Sequence, residues 1–159
     1  MCMEIGGTWT PTRNFQSVTN FSWLWEAKTI SDPSMTPSNV NYNISFGNRI
    51  ENVPEFSFSS WNKYTLTDSL LRGLSVAVGF EYKSTVNISR SVDWNPDRGG
   101  LTADNYRIWN LVIGYPYEIF GYRLSSQLGI YNLLDSKYLD GTYVLGPRRN
   151  ITLSTTLSF

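Results

Sequence analysis

The chain contains no histidine and a single cysteine, Cys2. Without histidine, Ser-His and Cys-His nucleophile pairs and most zinc sites fall away. One cysteine excludes an internal disulfide. Net charge is missing too, since 13 basic and 13 acidic side chains cancel. This removes the electrostatic case for nucleic acid as a partner. Charged residues are only 16% of the chain, against about 25% in an average soluble protein. No apolar run reaches about 18 residues, so no ordinary transmembrane helix is encoded. No segment keeps a convincing helical period. Met1-Cys2-Met3-Glu4 has neither the basic region nor the apolar stretch of an export signal. Gly6-Gly7 and Gly99-Gly100 lack the Lys and the strand-to-helix context of a phosphate loop. No cofactor or metal set is visible, and an enzyme is not expected.

What the chain has in abundance is aromatic side chains, at 15%, including 6 Trp and 10 Tyr. Mean hydropathy is nevertheless −0.26. Few charges, many aromatics and modest hydropathy fit a transmembrane β-barrel, in which only alternate residues need be apolar.

The pattern along the chain agrees. In the last stretch Ile151, Leu153, Leu157 and Phe159 point one way, with Thr155 breaking the row. Thr152, Ser154, Thr156 and Ser158 point the other way. Gly73 to Val86 sets Leu74, Val76, Val78, Phe80 and Tyr82 against Ser75, Ala77, Gly79, Glu81 and Lys83. Such period-two alternation marks a strand with one greasy and one wet face. Further strands are expected at 5–10, 15–29, 55–66, 106–117 and 122–133. At fifteen residues the 15–29 stretch suits a membrane strand that extends into water.

The connections sort by length. Those at 11–14, 67–72 and 118–121 are short, and those at 30–53, 87–105 and 134–146 are long. An up-and-down barrel in the outer membrane has short periplasmic turns and long extracellular loops. Phe159 then falls on the periplasmic side. Tyr64, Tyr115, Tyr117 and Tyr122 gather near the same ends, as an interfacial girdle would. The expected fold is all-β: a partial antiparallel up-and-down transmembrane β-barrel of about seven strands. An inner hairpin near Tyr42 to Phe46 is expected within the first long loop.

From about Asn52 onward the chain resembles the C-terminal end of the barrel of TonB-dependent outer-membrane receptors. Asn52-Val53-Pro54 precedes a strand carrying Trp61 and Tyr64. Gly73-Leu74-Ser75-Val76 opens the next, and Tyr106 begins one that ends in Gly114-Tyr115. Asn132-Leu133-Leu134-Asp135-Ser136-Lys137-Tyr138 is similar to the family's Asn-Leu-Phe-Asp-Lys-x-Tyr segment, with Leu134 where Phe is usual and the Lys shifted by one residue, at Lys137. Gly146-Pro147-Arg148 leads into the terminal strand.

The resemblance implies a barrel of about 22 strands with a plugged lumen, of which residues 1–159 would be the C-terminal segment, without plug domain or signal peptide. It implies residence in the outer membrane of a Gram-negative bacterium and uptake of a scarce small-molecule ligand, such as a ferric siderophore or cobalamin. The implied partners are outer-membrane lipid and lipopolysaccharide, the barrel-assembly machinery, and the TonB complex through the missing N-terminal region. Phe159 would be the barrel-assembly signal. Tyr42, Asp93, Trp94 and Arg98 lie on expected outer loops and are the candidate ligand contacts. Asn132 to Tyr138 is expected to shape the strand end through Asx-type hydrogen bonds. Arg148 and Arg149 are expected to be a solvated pair, with lumen carboxylates or lipopolysaccharide phosphates as alternative partners. Two other readings remain open at this point: a small outer-membrane pore or adhesin barrel, and a soluble carbohydrate-binding β-sandwich.

Overall fold

The computed structural model describes residues 1–28, 49–68, 70–88, 102–140 and 144–158. Among these residues nine strands form: β1 Met3–Thr12, β2 Phe15–Trp23, β3 Phe56–Thr65, β4 Ser75–Lys83, β5 Val86–Asn87, β6 Thr102–Ala103, β7 Tyr106–Ile119, β8 Tyr122–Tyr131 and β9 Asn150–Ser158. Seven of them make one sheet in the order β1-β2-β3-β4-β7-β8-β9, and β5 pairs with β6. Every neighbouring pair in the large sheet is antiparallel. This is the expected up-and-down order. No second large sheet packs on it among the described residues, so the sandwich reading has no support.

Residues directly paired across a ladder lie on the same face. One row crosses six strands as Phe15, Tyr64, Val76, Ile113, Leu128 and Leu153. The row beside it reads Gln16, Lys63, Ala77, Val112, Gly129 and Thr152 on the opposite face. The sequence alternation thus adds up, strand by strand, to an apolar face and a polar face. The apolar face is not covered: Leu153 is 74% exposed and Ile151 63%. A contiguous apolar sheet face open to its surroundings suits contact with hydrocarbon. Its tyrosines Tyr64, Tyr115, Tyr117 and Tyr122 all sit near the short turns, as expected.

Several hydroxyls and one amide on the apolar face pair with one another. Thr155, the break in the last row, meets the Ser126 hydroxyl at 2.8 Å, and Ser126 meets the Tyr117 hydroxyl at 3.0 Å. Thr19 and Ser60 share a hydrogen bond of 3.2 Å, and Asn62 donates to Ser60 at 3.0 Å. In a medium without water, such pairing is what makes a hydroxyl tolerable.

The turns carry the local chemistry that the topology needs. Phe120 and Gly121 form the two-residue connection between β7 and β8, with φ of 52° and 80°. Positive φ at both central residues matches the strand twist in a tight hairpin. Pro116 is compatible with β7 because pairing with β4 stops at Gly114, so no neighbour on that side needs its missing N–H. Pro11 lies in β1, an edge strand, at a register irregularity between Trp9 and Thr12.

β7 runs on to Ile119 rather than ending at 117, and β8 stops at Tyr131 rather than 133; three boundaries differ more. β1 runs from Met3 to Thr12, longer than 5–10, because Gly6 and Gly7 do not interrupt an edge that β2 pairs residue by residue. β2 stops at Trp23 rather than continuing to Thr29. Leu24 still bonds to the Glu55 carbonyl, but the next residue of the partner chain is Pro54, which has no N–H to offer the ladder. Beyond that point the chain folds in, and Ala27 is buried. The third is β5, where the expected 73–86 strand ends at Lys83 and a short second pairing begins. The buried residues Ala27, Ile88, Ala103, Tyr106 and Ile108 all lie at the end of the sheet that carries the long connections. That is where the fold has a small core. The expected hairpin near Tyr42 to Phe46 lies outside the described residues.

Candidate functional site

The polar face and its loop end hold the described groups able to meet a solute. Two clusters stand there. The first is built on Asn132, which follows β8 and is 3% exposed. Its backbone N–H donates to the Asn110 side chain at 2.9 Å. Its Nδ2 donates to the carbonyls of Ser136 (2.8 Å) and Pro147 (3.0 Å), and its Oδ1 accepts from the Ser136 N–H at 2.9 Å. Asn132 and Asp135 have φ of 51° and 55°, a region that Asn and Asp enter more readily than other side chains. The Asx-type role expected for this segment is what the geometry shows.

Asp135 completes the cluster. Arg148 grips both its oxygens, with Nε at 2.8 Å from Oδ1 and Nη2 against Oδ2. The Arg149 N–H donates to the same Oδ1 at 3.0 Å. Arg148 is therefore not a merely solvated residue. A two-pronged guanidinium–carboxylate contact fixes the entry to β9. These bonds, the Arg148 hydrogen bond first, hold the Asp135 carboxyl well below the usual carboxylate range.

A depressed carboxyl contributes stability above its unfolded pKa, about 3.9, and loses it as pH falls through the folded value. The urea midpoint of the wild-type chain should therefore exceed that of Asp135→Asn at neutral pH. The gap should shrink progressively as pH drops below about 4. A gap that stays constant through this range would show that the charge on Asp135 contributes nothing to folding.

The second cluster joins β4, β7 and the connection after β8. Lys83 Nζ lies 3.1 Å from Asp140 Oδ1 and 3.7 Å from Glu81 Oε1. The Tyr106 hydroxyl donates to the same Asp140 oxygen at 3.1 Å. Lys83 also stands 5.6 Å from the centre of the Tyr106 ring, and Tyr138 packs on that ring at 4.3 Å. A cleft of about 200 Å³ opens beside it, bounded by Asn52, Ser84, Asp104 and Asp140 among others. Among the described residues no group of His, Cys, Asp and Glu could hold a metal ion. The arrangement can bind and orient polar groups, and it contains no nucleophile–base pair.

Tyr42, Asp93, Trp94, Arg98 and Phe159 all lie outside the described residues. The sequence reading missed Lys83, Tyr106 and Asp140 as a group. Lys83 and Tyr106 are ladder partners on the polar face, so strand register was the signal that could have joined them. Asp140 sits in a connection whose path the sequence does not give.

No family model matches the chain. It is 30% identical over 118 residues to a Bordetella pertussis protein named "Probable TonB-dependent receptor BfrD", covering 71% of this chain and 15% of that one. It is 29% identical over 119 residues to the ferrioxamine B receptor of Salmonella typhimurium, covering 71% and 16%. Its fold matches the ferric preacinetobactin receptor BauA of Acinetobacter baumannii with a TM-score of 0.76 and 17% identity, over 99% of this chain and 22% of that one. The siderophore receptor PiuA of the same species gives a TM-score of 0.70 at 18% identity, over 97% and 21%. The chain thus spans only a small part of the length of each relative.

Proposed function

We infer that this chain, a stretch of TonB-dependent receptor β-barrel, forms barrel wall and outer loops of an outer-membrane receptor for a ferric siderophore. The observation that carries this is the division of seven antiparallel strands into one apolar and one polar face, laid over a siderophore-receptor barrel along 99% of the chain. The polar face lines the lumen and the apolar face meets lipid. Residues 1–159 are the C-terminal segment of that barrel, and plug and TonB contacts lie in other parts of the receptor. The protein captures and transports, and catalyses no reaction. Phe159 serves in barrel assembly, and Tyr42, Asp93, Trp94 and Arg98 meet the ligand or its surroundings at the mouth.

The count of sheet strands among the described residues supports a wall segment over a self-contained pore. With seven strands each antiparallel to the next, β1 and β9 run in the same direction. Closing this sheet on itself, or on copies of itself around a ring, would need a parallel seam. Antiparallel closure takes an odd number of added strands, as an even-stranded bacterial barrel supplies.

The test is uptake of radioactive iron presented as ferrioxamine, ferric catecholate or ferripyoverdine, in cells lacking their own receptors. The native gene product should restore uptake of one of these and should fractionate with the outer membrane. The 159-residue chain produced alone should restore none. Uptake by the chain alone would overturn the wall-segment reading. A native gene product found outside the membrane would overturn the receptor reading.

A further inference from the structure

We propose that a polar patch on the apolar face, centred on Thr19 and Ser60, is the surface through which two copies of this protein associate in the membrane. The inference rests on the receptor reading, which places that face in lipid. One row of the face reads Ser17, Asn62, Val78, Leu111, Ile130 and Ile151. Four strands supply aliphatics to it, while β2 and β3 supply a hydroxyl and an amide. The next row begins Gly7, Thr19 and Ser60, and turns to aromatics only at Phe80 and Trp109. Thr19 lies midway between Phe15 and Trp23, and Ser60 midway between Phe56 and Tyr64. The patch therefore sits at mid-strand, in the part of a membrane wall farthest from water.

Bonds within the chain meet only part of this polarity. Thr19 and Ser60 bond to each other, and the Asn62 amide donates to Ser60. Among the described residues the Ser17 hydroxyl makes no hydrogen bond, and the Asn62 side-chain carbonyl accepts none. Both side chains are half-buried, so part of each still faces outward. Hydrocarbon offers such groups nothing to bond, and leaving them unmet there is costly. Another polypeptide can supply the missing partners, and depth singles out a second copy. Two copies inserted in the same direction are related by an axis along the membrane normal, so residues of equal depth meet. The patch then faces itself, whereas a different protein would need polar groups at that same depth. It is also fit to face itself, because it carries no charge and its hydroxyls and amide both donate and accept. Strands tilted by about 40° cross those of a facing copy. Mid-strand rows come closest there, and the rings at the strand ends pass to either side. Gly7, Ser17 and Ser60 keep the crossing free of bulk, as small residues do between membrane helices.

Disulfide trapping in isolated outer membranes tests this, using the native gene product with the exposed Cys2 changed to Ser and copper phenanthroline as oxidant. Thr19→Cys and Ser60→Cys are made separately, as two reporters near the axis. At least one should give a covalent dimer of twice the receptor's mass. Leu153→Cys, at the far side of the same face, should give none above the cysteine-free background. Adding Ser17→Val to the cross-linking reporter should lower the dimer about tenfold, the effect of losing hydrogen bonds across a membrane interface. Asn62→Leu should do the same. Because the Ser17 hydroxyl bonds nothing within the chain, Ser17→Val should leave the amount of folded receptor in the membrane undiminished. The inference is overturned, with the receptor reading intact, by any of four results: no dimer from either reporter, equal dimer from Leu153→Cys, an adduct of another mass, or a dimer that Ser17→Val does not reduce. Absence of the parent protein from the outer-membrane fraction overturns the receptor reading, and the inference with it.

Discussion

Asn132→Ala should lower the unfolding free energy of the barrel segment by about 2–4 kcal/mol. Three side-chain hydrogen bonds disappear at once, two to carbonyls and one from the Ser136 N–H. The side chain that made them is almost fully buried, so the groups left behind lose partners that water cannot easily replace. The positive φ of 51° adds strain for an alanine, on the order of 1 kcal/mol. Asn132→Gly separates the two effects, because glycine accepts that backbone conformation but restores no bond. It should recover only the backbone part. Urea unfolding followed by tryptophan fluorescence is a suitable readout, since the Leu133 N–H bonds to the Trp109 carbonyl right beside this site. A loss below about 1 kcal/mol for the alanine variant would mean that the segment is solvated once the side chain is cut, and that β9 is held by its ladder alone.

Much of this architecture could be read from residue order because a membrane strand repeats every two residues. Val76, Val78 and Phe80 against Ala77, Gly79 and Glu81 define a face without any tertiary information, and the same holds for Leu124, Leu128 and Ile130. Loop lengths then fix up from down. Strand ends were harder to read. β2 ends at Trp23 because of Pro54, thirty-one positions along, and only pairing brings the two together. Ion pairs between connections were harder still. Arg148 and Asp135 are thirteen residues apart, and whether they meet depends on left-handed backbone at two residues, Asn132 and Asp135. The Asn132 to Tyr138 segment was legible as a shaping element because its Asn and Asp tolerate that turn. Asp140 was not legible at all, since its partners Lys83 and Tyr106 stand on strands far back in the chain. Local period writes the wall, and non-local pairing writes the rim.

The polar face makes a second strong prediction. Trp61 is the one large aromatic in the middle of that face, and it is paired with Gly79 on β4. A Cβ built on Gly79 would stand 2.7 Å from Cε2 and Cζ2 of the indole, closer than real carbon contacts allow. The ring lies over the bare glycine, covering backbone that would otherwise weaken the strand. Gly79→Ala should therefore force the indole aside and cost about 2 kcal/mol, in the range of overpacking effects. The same substitution in a Trp61→Leu background should cost little, and could even stabilise, because alanine serves a strand better than glycine once the ring is gone. The coupling between the two sites, read from the four urea midpoints of the cycle, should thus be of order 1–2 kcal/mol. Equal costs in both backgrounds would show that glycine is needed at position 79 for its backbone and not for the ring. Trp61 lies on the polar face, and with that face lining the lumen, as proposed above, the displaced indole would also project into the space that the barrel encloses. A receptor carrying Gly79→Ala should then lose uptake more than it loses stability, whereas the Trp61→Leu, Gly79→Ala double variant should keep both.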